Sequence, residues 1–69
     1  MKHTATSNRY RLILKIIRDN PGCSAVEVAQ GTWVKVAVAE RRLAVLEAEG
    51  YIVNAGGLYS IRMDELLLT

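Results

Sequence analysis

From Tyr10 onward, apolar residues return at Ile13, Leu14 and Ile17, a spacing that places them along one stripe of an α-helix. Leu12 and Ile16 widen that face, while Arg11, Lys15 and Arg18 share a ridge on the other side. Thr6 or Ser7 is the expected N-cap. Asn20-Pro21-Gly22 ends the helix, because proline lacks the amide donor and glycine accepts a left-handed turn.

A second helical pattern starts at Ser24. Glu27, three residues on, completes a capping-box signature in which hydroxyl and carboxylate each accept an otherwise orphaned backbone N–H. The expected helix is short, with Val28 and Ala29 facing inward and Gly31 closing it. Thr32 is then the expected cap of a third helix that reaches Glu49, with Gly50 as its stop. Val36, Ala39, Leu43 and Leu46 form its inward stripe, and the small Ala39 predicts a close crossing with a neighbouring helix. Beyond Gly50, Tyr51-Ile52-Val53 and Leu58-Tyr59-Ser60-Ile61 are β-prone, and the intervening Asn54-Ala55-Gly56-Gly57 has the length of a tight hairpin connection.

With 69 residues, half of them apolar, the chain has material for one core. The expected organisation is a flexible N-terminal arm over residues 1–6, a single domain over 7–61 and a short apolar tail over 62–69. A chain of this length buries only about 60% of its unfolded surface, so association into a homodimer is an expected remedy. One cysteine, Cys23, and one histidine, His3, supply neither a disulfide nor a metal cage, and no cofactor is expected. No apolar run approaches the ~20 residues of a membrane span, which points to a cytoplasmic protein without a membrane partner. Catalysis is not expected, because a cysteine, an arm histidine and carboxylates on helix surfaces make no acid–base or nucleophile constellation. Nine Lys/Arg against seven Asp/Glu give a net charge of +2, a mild basic bias that permits a nucleic-acid partner without requiring one.

Ile13-Leu14 and Ile17, Asn20-Pro21-Gly22, Ser24 and Val28-Ala29, then Val34, Ala39, Leu43, Leu46 and Gly50-Tyr51-Ile52 follow one another in a definite order. That order, helix, helix, helix, hairpin over residues 9–61, resembles the winged helix-turn-helix family. The resemblance implies an α+β, mostly α fold, three helices with a C-terminal β-hairpin wing. It also implies a small DNA-binding transcriptional regulator that places its third helix in the major groove of duplex DNA, of the compact kind found in phages or mobile elements. On this reading Lys35, Ala37, Val38 and Arg41 meet the groove, with valine and alanine against thymine methyls. Arg42, Arg11 and Lys15 hold phosphates, and Asn54 and Arg62 are the DNA contacts of the wing. The plainer reading of each charged residue is a solvated helix surface, with Arg41 paired beside Glu40 and Arg42 near Glu49.

The chain departs from the family pattern in three places. Trp33 stands where the family usually places the glycine of the turn, so a rearranged turn is expected, with Gly31 supplying the flexible residue and the indole at the core edge or protruding. The outward face of the third helix, Val34, Ala37, Val38, Ala44, Val45 and Ala48 around Arg41, offers few hydrogen-bonding groups to base edges. The wing tip carries no Lys or Arg. These departures support a second reading, a winged-helix protein-interaction or oligomerisation module. In it Trp33, Val34, Val38 and Val45 form an apolar docking face, and Leu66 and Leu67 of the tail pack on the domain or on a mate.

Overall fold

Ile13, Leu14 and Ile17 are buried on α1 (Asn8–Asp19), the first element of a computed structural model that describes residues 8–62. The candidate caps Thr6 and Ser7, the arm, and the tail leucines Leu66 and Leu67 lie outside the described residues. After α1 come β1 (Cys23–Ser24), α2 (Ala25–Thr32), α3 (Val36–Ala48), β2 (Ile52–Ala55) and β3 (Leu58–Ile61). Three helices and a three-stranded antiparallel sheet of order β1-β3-β2 result.

Every element contributes to one core. Val28 and Ala29 come from α2, Ala39, Leu43 and Leu46 from α3, and Cys23, Ile52 and Tyr59 from the three strands. The periodicity of α1 is realised except at Leu12, which is 42% exposed. Leu12 lies one turn before Ile16 on the same flank of the stripe set by Ile13, Leu14 and Ile17 but farther from its centre, whereas Ile16 packs against the core. Ile16 reaches α2 at Gly31, where a Cβ would stand 2.7 Å from the Ile16 Cδ1. The absence of a side chain there is what lets the two helices approach.

The α2 helix begins as its capping box dictates. Glu27 N donates to the Ser24 Oγ at 3.3 Å, and Ser24 N donates to the Glu27 Oε1 at 2.7 Å. It runs through Gly31 to Thr32, so Gly31 lies inside the helix rather than at its end. Thr32 does not cap α3. Its hydroxyl donates back to the carbonyl oxygens of Val28 (2.8 Å) and Ala29 (3.4 Å), and Lys35 occupies the N-cap position of α3 without a side-chain cap bond. Val36 therefore becomes the first helical residue of α3 and is 38% exposed, because helical side chains lean towards the N-terminus and its own lies past the buried stripe of Ala39, Leu43 and Leu46.

At the far end of α3, Gly50 takes φ +85°. Gly50 N donates to Glu47 O and Tyr51 N to Leu46 O, each at 3.0 Å, which is a Schellman ending. The hairpin is tighter than its sequence suggests. β2 extends to Ala55, and Gly56 and Gly57, with φ of +65° and +90°, form a two-residue turn of the type I′ kind that matches strand twist. β1 is an addition to the expected architecture. Cys23 pairs with Tyr59 and Ser24 with Leu58, and Gly22 N extends the pairing to Tyr59 O at 2.8 Å. Two residues have no period to read, and their partners lie more than thirty positions away.

Candidate nucleic-acid interface

The α2–α3 turn and the outer side of α3 carry most of the sequence-derived site residues, so the geometry of this segment decides what the surface can do. Trp33 ends α2 in the left-handed region, φ +60° and ψ +40°, and is the only described non-glycine residue with positive φ. The turn is therefore not rearranged around Gly31; tryptophan itself takes the conformation that glycine adopts cheaply. Val34 N donates to Ala29 O at 3.1 Å, and Val34 packs half-buried against the core. The backbone is thus held on both sides of Trp33, by the Thr32 hydroxyl and by Val34. The indole is 92% exposed, which settles the open alternative: it protrudes and is no part of the core edge.

Lys35 follows, exposed, at the head of α3. With Ala39, Leu43 and Leu46 facing the core, a helical turn of about 100° per residue sends Ala37, Arg41, Ala44 and Ala48 to the opposite side, and all four are exposed. Lys35 and Arg41 form no ion pair with another described residue, so the expected pairing of Arg41 beside Glu40 is not present. Arg42, Val38 and Val45 are half-buried on the flank. Val34 lies inward of this surface, so the apolar face outlined by Trp33, Val34, Val38 and Val45 is fully open at Trp33 alone. Val36, assigned inward from its spacing, instead joins the accessible head of the helix; the missing signal was the true start of α3.

The opposite flank of α3 is acidic. Burial raises the Tyr59 phenol above its ordinary value, and the charges of Glu47 and Glu40 raise it further, so both carboxylates lie within electrostatic reach of β3. Seven residues apart, they occupy nearly the same side of the helix.

The remaining cationic candidates separate from this surface. Lys15 and Arg18 both engage Asp19, at 3.2 and 3.5 Å, and the hydrogen bond from Lys15 is the main cause of a lowered Asp19 pKa. Two members of the α1 ridge are therefore partly neutralised, leaving Arg11 exposed and without such a partner among the described residues. Asn54 spends its Oδ1 on Gly57 N at 2.8 Å, shaping the wing turn. Arg62 is exposed at the base of the wing, where its N–H donates to Tyr51 O at 3.0 Å; four strand residues, roughly 13 Å, separate it from the glycine tip.

Comparison with known proteins agrees with this arrangement. A sequence profile of the family described as winged helix-turn-helix DNA-binding matches residues 8–53, two thirds of the chain. The chain is also similar to a solved structure described as the crystal structure of the predicted DNA-binding transcriptional regulator from E. coli. The TM-score is 0.78 at 27% sequence identity, covering 91% of this chain and 70% of that one. No protein of curated function matches the chain. Among the described residues, no helix is long and apolar enough to cross a membrane. The match from α1 through β2, on a fold with the same order of helices and hairpin, establishes that this chain belongs to the winged helix-turn-helix DNA-binding family.

Proposed function

We propose that the protein is a transcriptional regulator that binds duplex DNA by laying α3 in the major groove, with Lys35 and Arg41 as its principal contacts. The observation that carries this reading is the outer side of α3, where Arg41 stands exposed between Ala37 and Ala44 with no ion-pair partner among the described residues. Small residues let a helix sit close to base edges, alanine suits the thymine methyl, and arginine is the side chain best matched to guanine. Val38 and Arg42, half-buried on the flank, reach the groove wall, with Arg42 towards phosphate. Glu40 and Glu47, exposed on the other flank of α3, repel phosphate and so turn that flank away from the DNA.

So few readable positions per copy favour a homodimer on paired half-sites, which multiplies both contacts and specificity. Arg11 and Arg62 supply phosphate contacts that position without reading sequence. The protein-interaction reading loses most of its surface in this fold, since Val34 packs on the core and Val38 and Val45 are only half-accessible.

Titration of a labelled random-sequence duplex at low and moderate salt tests the proposal. Binding is expected at low salt and should weaken steeply as salt rises, because each neutralised phosphate releases counterion. Arg41→Ala should reduce affinity without altering the fold. No binding at low salt would remove the regulator reading.

A further inference from the structure

Trp33 combines three features that its fold does not require: a left-handed backbone, near-complete exposure, and a position directly before the head of α3. Folding alone favours glycine at this φ, as Gly50 shows at the end of α3. Nor does the indole stabilise the core, being 92% exposed. Its neighbours on either side fix its base, so the ring projects from a backbone that has little freedom to fold it away.

We propose that Trp33 is a DNA-positioning residue that packs its indole face on a deoxyribose and donates its Nε1–H to a phosphate at the edge of the major groove. This rests on the regulator reading above and adds a site to it. In helix-turn-helix docking the N-terminal residues of the recognition helix reach base edges, which brings the preceding turn to the sugar-phosphate backbone. The Trp33 Cα lies three residues from Val36, at most roughly 11 Å along the chain, within reach of that backbone. The indole has an apolar body and a single donor, a match for a sugar beside a phosphate oxygen. Lys35 is the only charged residue from Val28 to Ala39, so the charge nearest the indole in sequence is a cation, which suits an anionic phosphate backbone and disfavours a basic partner.

Trp33 is the only tryptophan in the chain, so its fluorescence reports this site alone. Saturating a full-length sample with a short random-sequence duplex at low salt should shield the indole from acrylamide quenching. Trp33→Gly should weaken duplex affinity by roughly three- to tenfold, the equivalent of one lost hydrogen bond with its packing. Its thermal midpoint should stay at or above that of the parent, because glycine accepts φ +60° without strain. Trp33→Phe, which keeps a ring without the donor, should fall between the two.

Duplex binding that leaves the indole as quenchable as before would overturn this assignment while leaving the regulator reading intact. So would a Trp33→Gly protein of unchanged duplex affinity that has lost self-association by light scattering, which would place the indole on a protein copy. Absence of duplex binding by the parent overturns both.

Discussion

At the residue scale, Gly31 and Trp33 exchange the roles their types suggest. Gly31 stays helical because Ile16 needs the space where its side chain would be, and Trp33 takes the left-handed turn. Gly31→Val should therefore destabilise the protein by about 1–3 kcal/mol in denaturant titration, the usual range for overpacking. Ile16→Val removes the Cδ1 atom that a new Cβ would strike, so it should cost less in the Gly31→Ala background than in the parent. Independent, additive effects of the two changes would contradict the close approach. Cys23 follows the same logic of surroundings over type. Its burial, with the charge of Glu27 adding to it, raises the thiol pKa and disfavours the reactive thiolate. Alkylation of the native protein should be slow and should become fast only on unfolding; rapid native labelling would show the thiol to be accessible.

At the scale of elements, the capping box illustrates what could be read in advance. Ser24 and Glu27 are local and stereotyped, so the start of α2 was legible; Ser24→Ala should cost about 1 kcal/mol, measured as a shift in the denaturation midpoint. The hairpin and the buried stripes of α1 and α3 were legible for the same reason, since period and turn chemistry are properties of short segments. What escaped was decided by distant partners or by competition between neighbours. β1 exists only because β3 returns beside it, and Thr32 bonds back to α2 instead of forward to α3. That choice shifted the head of α3 to Val36 and with it the exposure of Val36 and Trp33, which belong to the candidate site. The cations Lys35 and Arg41 were nameable from position, but the capture of Lys15 by Asp19 and of Asn54 by Gly57 required the folded backbone.

At the scale of the molecule, all six elements close on a single small core, so damage anywhere in it is shared. Leu43→Ala should cost roughly 2–5 kcal/mol, a large part of the ~3–10 kcal/mol expected for a chain this long; its unfolding midpoint should fall accordingly. Stability should also decline at alkaline pH. The Tyr59 pKa is raised in the folded state above its ordinary value of 10.0, so the folded protein holds that proton longer than the unfolded chain. The stabilising difference is complete below the unfolded value and is lost as pH rises through the folded one. Tyr59→Phe should flatten this alkaline limb of a stability profile. The functional claim also belongs to this scale, because DNA binding requires turn, helix and wing to present one surface. Amide chemical-shift mapping of the labelled full chain with unlabelled duplex DNA at low salt tests it most directly. The largest perturbations should run from Trp33 through Ala44, with smaller ones at Arg11 and Arg62. Perturbations centred on the Glu40 and Glu47 flank or confined to the wing, with Lys35 and Arg41 unmoved, would contradict it.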